Sequence, residues 1–250
     1  MSSPIKIKKF LTKKNFNLVH LKTVGSTMED IKKYIGDKNI CMIADEQTAG
    51  IGRRGNQWIS PKGNLYLSFL LNYNLSIENH FLFTAVTANS ICKFLNYYIN
   101  ENICIKWPND IKINESKIAG IMTEIIEHNN KKYVIIGMGI NILNSPKIND
   151  YKTCCLKEFN PKIKKEAVLL NMIEAFFLEY EMILKKEYNI IIDKFKNNMQ
   201  YLGETINILL PNGKNQNVFL KNLNFDGSIL IEKNGKQENI FSARIVNDFN

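Results

Sequence analysis

Cysteine is scarce in this chain. Five occur in 250 residues, at positions 41, 92, 104, 154 and 155, and none shows C-x-x-C spacing. An odd number without that spacing excludes a disulfide framework and a cysteine zinc site. The vicinal pair Cys154-Cys155 cannot easily bridge, and a reducing, cytoplasmic compartment fits best. Only three histidines are present, His20, His80 and His128. None has acidic or cysteine neighbours at ligand spacing, so the expected metal ligands are none, and no histidine-based triad is expected. Long apolar runs are missing too. The richest, Leu65–Leu71, is strand-sized, far short of the roughly 18 uncharged residues a membrane span needs. The N-terminal MSSPIKIKKFLTKKNF is basic but has no apolar core, so it is not a secretory signal. A transit-sequence remnant is the alternative for that segment.

What is present is an ordinary globular composition, 45% apolar and 23% charged, which excludes a disordered or fibrous chain. The length suits one large domain, or one large and one small. Lysine and arginine (33) outnumber aspartate and glutamate (24), for a net charge of +9. Such a surface attracts anions, whether phosphates, nucleic acid or an acidic partner. The lysines are spread along the chain rather than gathered into one block.

Alternation predicts a strand at Phe16–Val24, a long apolar run predicts one at Asn64–Tyr73, and further strands are read at Cys41–Asp45, Ile103–Lys106 and Tyr133–Ile140. It also predicts a hairpin of Ile111–Asn114 and Lys117–Ile126 about Asn114-Glu115-Ser116. The Ser26-x-x-Glu29 spacing is that of a capping box opening a short helix to about Ile35. Buried-helix spacing covers Glu78–Asn100, and Lys164–Tyr180 and Glu181–Met199 look helical, with Gly203 as the stop. Lys147–Pro161 reads as a polar connection. Beyond it lie short strand candidates at Glu204–Leu210, Val218–Asn224, Ser228–Glu232 and Gln237–Phe241. The turn signals Pro211-Asn212-Gly213, Asp226-Gly227 and Asn234-Gly235 separate them. That texture predicts a small barrel after a boundary near Tyr201.

Three segments could carry chemistry. In Gly50-Ile51-Gly52-Arg53-Arg54-Gly55, glycines allow close backbone approach and two arginines offer fork-shaped donors suited to phosphate. A solvated surface loop is the plain alternative. The loop is neither a G-x-x-x-x-G-K-[ST] phosphate loop nor a dinucleotide fingerprint. Lys106-Trp107-Pro108-Asn109-Asp110 presents an amide and a carboxylate at a strand end, where ligands often bind. It reads equally as an ordinary turn beside a core tryptophan. Lys117, before Ile118-Ala119-Gly120-Ile121, is either solvated or an inward charge partner for a carboxylate or phosphate. Ser26 and Thr27 read locally as helix caps, and Gly137-x-Gly139-x-Asn141 as a strand end.

Taken jointly, these segments resemble the biotin–protein ligase family. The family's motif order recurs as Gly25-Ser26-Thr27, then Gln47 to Gly55, then Trp58 with Ser60-Pro61 and Asn64-Leu65-Tyr66-Leu67-Ser68. KWPND at 106–110, KIAGI at 117–121 and GMGIN at 137–141 follow. The likeness runs from about residue 16 to 145 and more weakly to the C-terminus. It implies an α/β (α+β) fold: a mixed sheet backed by helices, class II synthetase-like, followed by a small C-terminal SH3-like β-barrel. Residues 1–200 would form the biotin- and ATP-binding catalytic domain and 201–250 the barrel. The implied activity is ATP-dependent: biotin and ATP give biotinyl-5′-AMP and pyrophosphate. The acyl group then passes to one lysine of a biotin carboxyl carrier domain, usually of acetyl-CoA carboxylase.

The resemblance also implies roles. Arg53, Lys117 and Asp110 would be catalytic. Ser26, Thr27, Gln47, Gly52, Arg53 and Lys117 would hold biotin, while Arg53, Arg54, Lys106, Asn109, Asn141 and Arg244 would hold ATP, with Mg²⁺ screening the triphosphate. Two departures stand out. The family loop commonly reads G-R-G-R-x-G-R, and Ile51 and Asn56 occupy its first and last arginine positions here. Each phosphate contact so lost is worth roughly 1.5–3 kcal/mol. Met28 sits where a polar residue is common. Residues 1–15 are too few for the helix-turn-helix of many bacterial relatives, so a ligase without DNA binding and without a membrane partner is expected, with a homodimer left open. The rivals are a lipoate–protein ligase or octanoyltransferase of the same fold and a basic nucleic-acid-binding module. KWPND followed by KIAGI argues for biotin, and the spread of Phe219, Phe225 and Phe241 argues against base stacking.

Overall fold

The computed structural model describes residues 3–36, 38–72 and 80–246. Tyr73, at the end of one expected strand, and Glu78 and Asn79, at the start of the expected buried helix, lie outside them. Seven strands make one sheet: β1 (Phe16–Val24), β2 (Asn39–Gln47), β3 (Leu65–Asn72), β4 (Ile103–Lys106), β5 (Asp110–Ile113), β6 (Ser116–His128) and β7 (Lys131–Ile140). Their order is β1-β2-β3-β7-β6-β5-β4. Only β1 and β2 run parallel within it, the other five pairings being antiparallel. The sheet is therefore mixed, as expected.

Successive side chains on a strand point to opposite faces. On β3, Leu65, Leu67, Phe69 and Leu71 enter the main core, while Tyr66 and Leu70 belong to two smaller clusters on the other face. The main core lies under four helices, α1 (Ser3–Lys13), α3 (Phe81–Tyr98), α5 (Lys165–Leu184) and α6 (Tyr188–Asn198). The opposite face carries only the short helix α2 (Thr27–Asp30) and a 3-10 turn, Ile31–Tyr34, over Met42, Leu70 and Ile135. The rest of that face carries no helix among the described residues, which leaves room for a loop and a cleft above the sheet.

The basic N-terminal segment is a packed helix. Ile7 and Leu11 of α1 are buried, about 1.5–3 kcal/mol each, Phe10 meets Phe177 edge-on, and Lys14 pairs with Glu181 at 2.6 Å. The expected break between Tyr180 and Glu181 falls instead at Lys185-Lys186-Glu187. Helix α5 continues because Ile183 is still buried in the core, and Lys186 then turns left-handed at φ 59. The expected polar connection contains α4 (Leu156–Phe159), entered through buried Cys154, Cys155 and Leu156. All five cysteines are free and buried, and burial pushes the Cys92 and Cys154 thiols up to about 12.

Beyond α6 the chain forms a five-stranded antiparallel sheet, ordered β11-β10-β9-β8-β12. Its strands are β8 (Thr205–Leu209), β9 (Asn215–Leu223), β10 (Ile229–Lys233), β11 (Lys236–Ile240) and β12 (Arg244–Ile245). It docks through Trp107, whose Nε1–H donates to the buried Gly227 carbonyl at 2.8 Å. Gly227 adopts φ +86 against Phe81, where any side chain would overlap the ring. No helix among the described residues is long and apolar enough to cross a membrane.

Candidate active site

The open sheet face and the second sheet enclose a cleft of about 2090 Å³. Lys106, Asp110, Lys112, Lys117, Gly120, Gly137 and Gly139 line it, while their sequence neighbours Ile105, Ile111, Ile113, Ala119, Ile136, Met138 and Ile140 enter the main core. A register shift where Ile118 and Ala119 both turn inward brings Lys117 to the same face as Gly120. Eight lining side chains are basic and three acidic, so the cleft is built for an anion.

The glycines make the floor flat. Gly120 and Gly139 are cross-strand partners on β6 and β7, and Trp58 lies against both: a methyl on Gly139 would overlap the indole, and one on Gly120 would come within 3.0 Å of it. A methyl on Gly137 would overlap Met28. Met28 is thus a buried packing residue beside the floor.

One wall of the cleft is backed by a hydrogen-bonded bracket. Gln47 Oε1 accepts from the Thr27 amide at 2.8 Å and the Thr27 hydroxyl at 3.0 Å, and Ser68 donates to Thr27 Oγ1 at 2.8 Å. Gln47 Nε2 donates to Ser60 Oγ, which donates to the Trp58 carbonyl. The expected capping box is therefore not made. Ser26 is extended and its hydroxyl caps nothing, Gln47 takes the first helical amide, and Glu29 pairs with Lys32 instead of reaching back. Ser26 Oγ and Trp58 Nε1, both lining the cleft, are buried with no hydrogen-bond partner among the described residues. Buried polar atoms are nearly always satisfied, so two orphans in one cleft point to a polar ligand.

The glycine–arginine loop folds back over the floor through an Ile51–Gln57 bridge and a 3-10 turn at Arg53–Gly55. Arg53 Nη1 donates to Asn109 Oδ1 at 3.2 Å, and Asn109 Nδ2 donates to the Ile121 carbonyl. Burial, with the adjacent Arg54 charge, lowers the Arg53 pKa, and Asp110 opposes this; a guanidinium keeps its charge regardless. Lys117 Nζ sits 2.8 Å from Asp110 Oδ1 and 5.2 Å from the ring centres of both Trp58 and Tyr151. Arg53 and Lys117 thus flank Asn109-Asp110 from two sides of one cavity.

The structure gathers Ser26, Thr27, Gln47, Gly52, Arg53, Arg54, Lys106, Asn109, Asp110, Lys117 and Arg244 around this cleft. Asn141 is not brought to it. That side chain is 2% exposed, donating to the Cys154 carbonyl and accepting from Asn64, so it clamps the end of β7 to the segment before α4. Arg54 adopts φ 57 and donates across the cleft to Ser242 Oγ at 2.8 Å and the Ala243 carbonyl at 3.1 Å. It ties the loop to the second sheet. Lys112 and Tyr151 also line the cleft and escaped the sequence reading. Strand parity with Asp110 was the available signal for Lys112; none pointed to Tyr151, which arrives on an irregular segment.

The biotin/lipoate A/B protein ligase family profile matches residues 21–141. The bifunctional ligase/repressor BirA of Bacillus subtilis is 27% identical over 90% of this chain and 71% of its own length. The biotin–protein ligase of Schizosaccharomyces pombe is 26% identical over 67% of this chain and 31% of its own. Among solved structures, the Aquifex aeolicus biotin protein ligase in complex with biotin and ATP superposes with a TM-score of 0.76 at 28% identity. It covers 92% of this chain and 98% of that one.

Proposed function

We propose, on the premise that this chain belongs to the biotin–protein ligases of the biotin/lipoate A/B protein ligase family, that its cleft makes and guards a biotinyl adenylate. The enzyme activates biotin with ATP and transfers it to a lysine of a biotin carboxyl carrier domain. A biotin carboxylate oxygen attacks the α-phosphorus, and the bond to the β-phosphate oxygen breaks with release of pyrophosphate. The carrier amine then attacks the acyl carbon, forming the amide as the bond to the phosphate oxygen breaks and AMP leaves.

Two anions must meet in the first step, so fixed cations aimed at that point are the main requirement. Arg53 and Lys117 supply them: Lys117 holds the biotin carboxylate, and Arg53 covers the α-phosphate from the loop. The reading is supported above all by their convergence on Asn109-Asp110 beside a flat apolar floor with orphaned donors at Ser26 and Trp58. The neutral ureido ring of biotin suits the Ser26, Thr27 and Gln47 bracket, with Gly52 allowing close approach. When the carboxylate takes Lys117, Asp110 is released to accept a proton from the incoming amine. Asn109, Lys106, Arg54 and Arg244 complete the nucleotide end, with Arg54 acting through the barrel.

No cluster of three or more metal-ligating side chains occurs among the described residues. A Mg²⁺ carried by triphosphate needs only one or two carboxylates, and Asp110 fits that need. Bound there, it would screen phosphate charge. In this reading residues 1–200 bind biotin and ATP, 201–250 close over the nucleotide, and the free buried thiols suit the cytoplasm. Incubation with ATP, Mg²⁺, labelled biotin and a carrier domain tests it. Biotin-dependent pyrophosphate release and label on one carrier lysine are expected; the absence of both overturns the assignment.

A further inference from the structure

Lys112 is 7% exposed and lines the cleft. It follows Asp110 by two residues on β5 and so shares its face. Cross-strand, Lys112 lies opposite Cys104 on β4 and Lys117 on β6, and Asp110 opposite Lys106 and Gly120. Three lysines and one aspartate thus occupy one end of the floor. The Lys112 charge is felt locally: burial raises the Cys104 pKa and the ammonium pulls it back down.

Lysine is almost never buried unless paired, and like charges opposite one another across strands destabilise a sheet. Asp110 is taken up by Lys117 at 2.8 Å. Lys112 pairs with Glu115 Oε2 at 2.7 Å, and that turn residue's side chain is 68% exposed. Its carboxylate can move into water at little cost. The cleft's cations are also divided: Arg54 is engaged with Ser242 and Ala243, leaving Arg53 as the loop's inward charge. A polyphosphate carries several negative charges, and Lys112 is a buried cation of the cleft beside Asp110 that the ligase reading leaves without a role.

We propose that Lys112 is a polyphosphate ligand, holding the β- and γ-phosphates of ATP and then the departing pyrophosphate, with Glu115 as the carboxylate it exchanges for them. This rests on the ligase reading above. The ammonium donates hydrogen bonds to the β-phosphate oxygen that gains the electron pair when its bond to the α-phosphorus breaks, and no proton is transferred. Glu115 Oε1 accepts from Gln200 Nε2 at 3.2 Å, which retains the carboxylate near the site for the return step.

The test uses the intact protein with Lys112→Met, Lys112→Arg and Glu115→Gln. Inorganic pyrophosphate binding is read by calorimetry, biotin binding separately, and ATP kinetics by biotin-dependent ATP–pyrophosphate exchange. Lys112→Met is expected to weaken pyrophosphate binding about tenfold to a hundredfold, the range of a charge-assisted contact, and to raise KM for ATP while biotin affinity holds. Lys112→Arg should recover most of the loss, and Glu115→Gln should tighten pyrophosphate binding severalfold by removing the competing anion. Wild-type pyrophosphate affinity in Lys112→Met overturns the proposal, leaving Lys112 a structural partner of Glu115. If Lys112→Met does not fold, Glu115→Gln decides: unchanged or weaker binding overturns it. A wild-type protein that binds pyrophosphate through Lys112 yet shows no biotin-dependent exchange upholds the site and sinks the ligase reading instead.

Discussion

Arg53 and Arg54 are neighbours with opposite assignments. The first reaches Asn109 at the cleft floor, and the second reaches the outer sheet at Ser242. The positive φ of Arg54 separates them, turning the two side chains apart. Removing the inward one should unseat the cover without unfolding the protein. Arg53→Gly is expected to release biotinyl-5′-AMP into solution and label bystander lysines. Carrier selectivity equal to wild type, measured by mass spectrometry of a mixed protein pool, would contradict that role. Asp45 illustrates a purely structural charge. Burial alone would raise its pKa, but hydrogen bonds from His20 and Lys165 outweigh this and hold it below the ordinary carboxylate value. A depressed folded pKa contributes stability that is present above about pH 3.9 and lost as pH falls through the folded value. Asp45→Asn should therefore lower the urea midpoint at pH 7 but not below the folded pKa. The gap should be small, because the side chain is 37% exposed.

Among the elements, β6 and β7 contribute most to the site by what they lack. Paired glycines let an indole lie flat where side chains would otherwise project. Gly139→Ala should cost about 1–3 kcal/mol through overpacking, because a fused ring cannot bend away. Thermal unfolding and tryptophan fluorescence would report it, together with weakened biotin binding. Helix α2 makes a related point. Ser26-x-x-Glu29 looks like a local capping box, yet Ser26 makes no cap bond, Glu29 turns to Lys32, and the first helical amide goes to Gln47, twenty residues on. Local spacing names residues able to form a cap; it does not show whether their side chains are turned elsewhere.

Across the whole molecule, Trp107 joins the two sheets. It sits in the segment that also supplies Asn109 and Asp110, so the docking bond to Gly227 and the Asn109-Asp110 turn share one short piece of chain. Trp107→Phe keeps most of the packing but strands the buried Gly227 carbonyl, at about 1–3 kcal/mol. Hydrogen exchange is expected to accelerate across β8–β12 more than across β1–β3. Uniform acceleration would show instead that the two sheets unfold as one.

The residues alone carried the strands and their order along the chain, because alternation and turn signals are local properties set by the pleat, while the residues of the cleft were joined into one site by the order of motifs shared with the biotin–protein ligase family. The second, antiparallel sheet was legible for that reason, whereas the mixed sheet was implied by the family resemblance. Tertiary packing decided the rest. It seated Asn141 as a clamp between segments, drew Gln47 to the Thr27 amide, and sent Arg54 to the second sheet's last turn. Each of those outcomes depends on which distant group satisfies a polar atom first, and hydrogen-bond competition over long chain separations leaves no trace in the spacing of neighbouring residues.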